Sequence, residues 1–342
     1  MGDVVTEAFT VPLPGGFGLA RKVRTFLGLR EGYVAGVNID VIGEFEKKLE
    51  AFQPSAVVFD SGLFGPLALR ARRHGCQVFT QTQNCEYDFY AGEAALRGGL
   101  AGELLRAAFL AEGQAIEASD VVFTLSSYDR HRLIQLYGEP KDCRIVNPLL
   151  MPLTERLSRF SGRKPRGRGA PVAAFLGSAG QQNRWAAELL TRHWTGEMAK
   201  LKVVGHVGQF LRQSFRDQEL ESRDIALCGF VESLDDLLAS SDAMVCPMFL
   251  GSGVKIKMID ALANGCPVLA SEEALHGYEF AKESGWVRAC SLREMERVTT
   301  QLGEEPPSLE RLRDDTRSEV AKHEATLRVV YSRLTTAREA RG

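Results

Sequence analysis

The chain shows no surplus of either charge. Across 342 residues, 42 Lys and Arg stand against 44 Asp and Glu, a net charge of −2. That balance removes the electrostatic footprint by which nucleic-acid binders hold phosphate backbones, so no nucleic-acid partner is expected. No apolar run approaches the roughly 20 residues that span a bilayer, and no charged-then-apolar leader opens the sequence. The expectation is a soluble, cytoplasmic protein. The seven cysteines are odd in number and scattered without a C-x-x-C pair, and the six histidines lack H-E-x-x-H or H-x-x-x-H spacing. Neither a disulfide framework nor a metal site is expected. One targeting pattern does occur: Met1-Gly2-Asp3-Val4-Val5-Thr6 fits the loose myristoylation template.

What the chain does have is length for two domains, at roughly 150 residues each, and 44% apolar residues with which to fill two cores. A short β-branched run, a turn and an amphipathic helix recur along it. The runs 56–60 (AVVFD), 77–80 (QVFT), 120–125 (DVVFTL) and 143–146 (CRIV) read as strands buried on both faces. Helical spacing intervenes, with Ile42, Phe45, Leu49 and Phe52 on one stripe and Leu104, Leu105, Phe109 and Leu110 on another. In the second half, 171–176, 201–205, 225–228, 243–247, 267–270 and 286–289 repeat the strand pattern. Such alternation means parallel βαβ units in a doubly wound α/β fold. Residues 161–170 (SGRKPRGRGA) separate the halves as a basic linker, either a solvated hinge or a contact for phosphate or an anionic membrane surface. The tail from Ser308 carries one long helical pattern.

Ligands of open parallel sheets bind at the carboxyl ends of strands, where loops enter helices. Two loops stand out. Gly177-Ser178-Ala179-Gly180 follows strand 171–176, and Met248-Phe249-Leu250-Gly251-Ser252-Gly253 follows strand 243–247 and opens a helix over Val254–Ala263. Glycines let backbone amides approach an anion, and a helix N-terminus adds positive partial charge. Lys255 and Lys257 fall in the first turns of that helix, where cations oppose the macrodipole, so an anionic ligand would account for them. Asp260, three residues past Lys257, is near enough to serve the same pocket. This is the pattern of a diphosphate cradle beside a carboxylate for sugar hydroxyls, with ordinary loop-to-helix chemistry as the other reading.

Gly229-Phe230-Val231, Leu234-Asp235-Asp236-Leu237-Leu238, Ser241–Pro247 and GSGVKIKMIDALANGCPVLAS (251–271) together resemble the nucleotide-sugar half of glycosyltransferase family 4. Ser126-Ser127-Tyr128-Asp129-Arg130 and Gln83-Asn84-Cys85-Glu86 resemble the family as well. The resemblance implies the GT-B fold, two Rossmann-like αβα domains facing across a cleft. They are placed at 1–155 on the acceptor side and 168–308 on the nucleotide-sugar side, with a helix over 309–342 packing back toward the first domain. It implies transfer of a sugar from a nucleoside-diphosphate sugar to a glycan or lipid-linked acceptor, with retention, without metal and with no cofactor beyond the donor substrate. Gly177 and Ser178 would approach the diphosphate, and Gly229, Phe230 and Val231 would line the nucleobase pocket. Ser252, Gly253 and Val254 would offer amides to the β-phosphate, Lys257 would neutralise the leaving diphosphate, and Asp260 would hold ribose hydroxyls. Stabilising the charge on that leaving group is electrostatic preorganisation.

The chain departs from the family in two places. The E-x7-E pair is here Ser252-x7-Asp260, without its first carboxylate, and Gln83-Asn84 stands where relatives carry His-Asn. A Gln can hydrogen-bond a donor sugar but cannot titrate near neutral pH. Glu86 is the nearby carboxylate, either catalytic or a helix-entry acid. Other readings stay open: a nucleotide-sugar epimerase of the same fold, or a partner-dependent subunit that binds nucleotide-sugar without completing a transferase site. A nicotinamide enzyme fits poorly, because Gly15-Gly16-Phe17-Gly18 is followed by Arg21 where a third glycine belongs. A metal-dependent transferase of the single-domain type would want D-x-D, which does not occur. The opening Thr6–Pro12 resembles the family's third strand, so the first domain is expected to be short by its first βαβ portion. A partner or second copy would then cover the exposed sheet.

Overall fold

The computed structural model describes residues 27–97, 101–160 and 169–339. The sequence features at 1–18 and most of the 161–170 linker lie outside them. The first half builds a four-stranded parallel sheet in sequential order, from β1 (Ala56–Phe59), β2 (Gln77–Gln81), β3 (Val121–Thr124) and β4 (Cys143–Ile145). Around it run α1 (Ile39–Phe52), α2 (Gly65–Arg73), α3 (Glu86–Arg97), α4 (Ala101–Ala118) and α5 (Ser127–Tyr137).

Sequential order has a consequence for coverage. Right-handed crossovers that always step the same way place every connecting helix on the same face of the sheet. Val57, Phe59, Val78 and Val122 accordingly face the apolar sides of α1, α2, α4 and α5. The opposite face, with Phe79, Val121 and Phe123, is covered by Leu327 and Val330 of the last helix. Ala56 of β1 packs against this cluster as well, but the cover does not extend to Val58. Val58 is 70% exposed, so the run 56–60 is not buried on both faces as its composition suggests. Among the described residues β1 pairs only with β2.

The second half is a six-stranded parallel sheet ordered β10-β9-β8-β5-β6-β7. Its strands are β5 (Val172–Leu176), β6 (Lys200–Val204), β7 (Ile225–Gly229), β8 (Ala243–Cys246), β9 (Val268–Ala270) and β10 (Val287–Ala289). The order reverses between β5 and β8, the doubly wound arrangement with its switch point there. Helices α7 (Gln181–His193), α8 (Val207–Ser214), α9 (Asp217–Ser222), α10 (Leu234–Ala239), α11 (Ile256–Ala263) and α12 (Leu292–Glu304) complete this unit. The central strands are apolar on both sides because both faces are covered: β8 is buried at all four positions.

Two segments pass between the sheets. Helix α6 (Leu150–Arg159) puts Leu150, Leu153 and Leu157 into the second core, so the first sheet's own packing ends ahead of residue 155. Helix α13 (Leu309–Glu339) begins against that second core at Leu312 and reaches the first sheet, where His323 Nδ1 lies 3.1 Å from the Ile145 carbonyl. Arg313 ties α13 to α6 by donating to the carbonyls of Leu157 and Phe160. Among the described residues no helix is long and apolar enough to cross a membrane. All seven cysteines are free thiols.

The first sheet depends on a close helix approach. A Cβ on Gly65 would lie 1.8 Å from the Ala111 carbonyl oxygen, and backbone cannot yield as a side chain would. Gly65→Ala should therefore cost about 2 kcal/mol or more in urea unfolding. Gly43→Ala, inside α1 with nothing within 4 Å, should instead stabilise by about 0.5–1 kcal/mol. Equal effects of the two would contradict this packing.

Candidate functional site

The carboxyl ends of β5 and β6 approach each other through backbone. Gly205 has φ +97°, and a Cβ there would lie 2.4 Å from the Gly177 carbonyl oxygen. A Cβ on Gly177 would meet Val207 Cγ1 at 2.8 Å. Side chains are thereby kept out of the space between the ends of β5 and β6, leaving polar backbone and the loop residues around it. The Ser178 hydroxyl accepts from Asn183 Nδ2 at 2.9 Å, and Asn183 Oδ1 accepts from Lys257 Nζ at 2.7 Å. Lys257 donates also to the Leu176 carbonyl at 2.7 Å. Gly177, Ser178 and Lys257 thus come together, with Asn183 as the link between the two loops.

Lys257 is a cation without an anion. Among the described residues its hydrogen-bond acceptors are a carbonyl and an amide oxygen, which together engage two of the three ammonium protons. Burial holds its ammonium below the usual lysine range. Lys255 is placed otherwise than its spacing suggests. It is the N-cap of α11, which begins at Ile256 and not at Val254, and its ammonium turns back to the Ser252 and Gly253 carbonyls at 2.9 Å each. The two lysines are therefore bonded to carbonyl groups and are not solvated charges opposing the macrodipole.

The loop from Gly251 to Gly253 is glycine by necessity. Gly251 has φ +90° with a would-be Cβ 2.4 Å from Gln182 Oε1, and Gly253 has φ +78° with one 2.7 Å from Asn84 Cβ. The second of these contacts crosses between the sheets. Ser252 Oγ also crosses, donating to the Cys85 carbonyl at 2.5 Å. The Gly253 amide faces the buried carboxylate of Asp129 in the first half. His276 stacks flat on Tyr128 with 3.6 Å between ring centres, extending the seam. Burial lifts the Asp129 carboxyl above, and lowers the Lys255 ammonium below, their ordinary values.

On the first sheet's side, Gln83 donates to Asp60, and the Ser61 hydroxyl donates to Glu86 Oε1 at 3.2 Å. With its amide nitrogen turned toward Glu86, Asn84 donates to both carboxylate oxygens at 3.0 and 3.1 Å. Burial raises the Glu86 carboxyl to about 7. Behind it Glu112, raised by burial to about 8, accepts from the Glu86 and Tyr87 amides (2.7 and 3.2 Å) and from the Tyr137 hydroxyl (2.8 Å). Glu112 thus caps the start of α3 from another helix. Nothing local in the sequence pointed to it, because its partners lie some 25 residues away along the chain.

Other expected residues lie apart. Asp260 pairs with Arg156 Nη1 at 2.9 Å, and the same guanidinium reaches Asp235 at 3.1 Å. Asp260 therefore has a cationic partner on α6 that its spacing from Lys257 did not suggest. Gly229, Phe230 and Val231 sit at the end of β7, two strands from β5. The Phe230 ring is 74% exposed and stands perpendicular to His206 at 4.5 Å. An exposed aromatic face beside a strand end can take a flat ring by stacking. Val254 is half-buried, touching the space beside Gly277. Among the described residues no group of three or more His, Cys, Asp or Glu side chains is placed to hold a metal ion.

Residues 170–293 match the family model described as glycosyl transferases group 1. A sequence comparison with curated proteins gives no match. Among solved structures the chain is similar to TarM, with TM-score 0.56 and 12% identity over 86% of this chain and 57% of TarM. It thus spans less than two thirds of TarM's length. It is similar to HepE of Anabaena, solved with UDP, with TM-score 0.59 and 11% identity over 86% of this chain and 82% of HepE. It is similar as well to the lipopolysaccharide outer core galactosyltransferase WaaB, with TM-score 0.58 and 12% identity over 90% of this chain and 81% of WaaB. These likenesses show the α/β architecture of the GT-B fold, and the family match places a glycosyl transferase group 1 domain over the second sheet.

The raised Glu86 carboxyl has a measurable consequence. Between about pH 4.5 and about 7 the folded protein keeps a proton that the unfolded chain releases, so stability from this group falls as pH rises. Glu86→Gln removes that slope. In urea titrations from pH 4.5 to 8, the variant should gain on the order of 3 kcal/mol relative to the parent. Parallel stability curves would contradict a buried, proton-retaining Glu86.

Proposed function

We propose that the chain is a glycosyltransferase that takes a nucleoside-diphosphate sugar and passes the sugar to a hydroxyl of a glycan or lipid-linked acceptor. The observation carrying this reading is Lys257. It is a desolvated ammonium at the switch point of a doubly wound sheet, held by two neutral acceptors and paired with no carboxylate among the described residues. A diphosphate is the ligand whose charge such a group lacks, and the Ser178 hydroxyl and the α11 N-terminus lie beside it.

In this reading charge grows on the diphosphate as the sugar–oxygen bond breaks. Lys257 and the amides from Val254 onward meet that charge without having to reorganise, which is where the rate advantage arises. Phe230, with His206 at its edge, receives the base. Asp260, paired with Arg156, holds the ribose hydroxyls. Gln83 and Glu86 face the sugar from the first sheet, Gln83 by hydrogen bonding. Glu86, raised to about 7, is able to exchange a proton near neutral pH. The family resemblance adds retention of configuration and independence of metal to the proposal. HepE's structure contains UDP and TarM's variant was solved with UDP and an α-GlcNAc-glycerol, which favours UDP as the first nucleotide to test.

A second reading, a subunit that binds nucleotide-sugar but needs a partner to transfer, is favoured by Val58, an exposed apolar side chain on a strand that lies at the sheet edge among the described residues. Turnover of a nucleotide-sugar panel by the purified chain alone separates the two.

Calorimetry with UDP, GDP and pyrophosphate tests the shared claim. Lys257→Ala should weaken all three by at least about tenfold, since a charge-assisted contact contributes roughly 1.5–3 kcal/mol. Asp260→Ala should weaken UDP more than pyrophosphate. Lys257→Ala should also lower kcat, because the contact strengthens as charge develops. Unchanged affinity in the Lys257 variant would end the assignment.

A further inference from the structure

Asp129 is a buried carboxyl group with no part in the core or in the proposed chemistry. It lies in the first turn of α5, fully buried, with Oδ2 accepting the Ser126 hydroxyl at 2.6 Å. Capping does not explain it, because the helix is capped by Ser126, whose hydroxyl accepts from the Asp129 amide at 3.0 Å. Asp129 Oδ1 has no hydrogen-bond partner among the described residues. The positive groups facing this carboxylate are the Lys255 ammonium and the backbone amides of Cys85 and Gly253.

Lys255 comes at the same loop from the second half. Its ammonium donates to the carbonyls of Ser252 and Gly253. A trans peptide is planar, so the Ser252 carbonyl and the Gly253 N–H point in opposite directions. The carbonyl of this one peptide is turned to an ammonium, and its N–H is turned to a carboxylate from the other half of the chain. Opposite charges at the two ends of a dipole fix its direction, and a buried setting strengthens both attractions. Two further contacts hold the same spot: Ser252 Oγ on the Cys85 carbonyl, and Gly253 against Asn84 with no room for a Cβ.

We propose that Asp129 is a positioning residue of the donor site, which together with Lys255 pins the Ser252–Gly253 peptide so that the amides from Val254 onward meet the diphosphate in one orientation. What the peptide serves rests on the proposed function; that it is pinned does not. Asp129 touches no substrate in this account. With its N–H turned to Asp129, Gly253 contributes its conformation, and the amides left for an anion begin at Val254.

The test uses the full chain, first without nucleotide. Amide hydrogen exchange over residues 252–256 should speed up about tenfold in Asp129→Asn, which removes the facing carboxylate, and in Lys255→Met, which removes two ammonium hydrogen bonds, while exchange over 243–246 stays unchanged. Should Asp129→Asn fail to fold, Lys255→Met decides the exchange measurement by itself. In the second arm, both single variants should weaken UDP by similar factors, and the double variant by no more than either single. A structural role alone would give additive losses. Unaltered exchange over 252–256, or additive losses in UDP affinity, overturns the proposal. A parent chain that does not bind UDP overturns the nucleotide reading instead, and the exchange arm still decides the role of Asp129.

Discussion

A buried ammonium needs compensation for the water it has lost, and Lys257 finds two neutral oxygens where an anion would satisfy it better. The surrounding arrangement follows from that requirement. The Leu176 carbonyl is free to accept because β5 ends there, at the strand order reversal. Asn183 donates through its amide nitrogen to Ser178, which leaves its oxygen turned to Lys257. The α11 N-terminus, with its open amides, lies within the same few residues of chain. A cation without a counterion among the described residues, hydrogen-bond donors and a helix terminus converge at one strand edge, and each is weak evidence of function without the others.

The second constraint is glycine at the meeting of the two sheets. Gly251 and Gly253 both have a positive φ, and at Gly253 the Asn84 Cβ and the Gln83 carbonyl also lie closer than a Cβ allows, so there conformation and proximity select the same residue. The loop proposed to face the donor is therefore the loop that touches the first half. Binding at one side and contact at the other act on the same peptides. Asp129 and Lys255 add direction to this contact where glycine supplies only room.

The first sheet illustrates how topology decides burial. Its strands step one way, its crossover helices share one face, and the remaining face depends on the C-terminal helix for cover. The apolar composition of 56–60 reads as fully buried, yet Val58 is exposed because the helix that would cover it lies over the neighbouring strands. No property of the five residues themselves could have shown this.

Local chemistry was enough to read the elements. β-branched runs marked the strands, apolar spacing marked the helices, and glycine followed by a helix marked both loops at the switch point, since each is a property of contiguous residues. Gly177, Ser178 and Lys257 were legible for that reason. What depended on residues far apart in the chain was not. Asn183 carries no local sign that it links two loops 74 residues apart. Arg156 reaches Asp260 across 104 residues, Glu112 caps a helix it does not belong to, and Asp129 meets Gly253 only because the halves fold together. The direction of a lysine was equally out of reach. Lys255 and Lys257 differ little in sequence context, yet one turns back on its own loop and the other reaches a strand end, because only packing determines which carbonyls lie within a side chain's length.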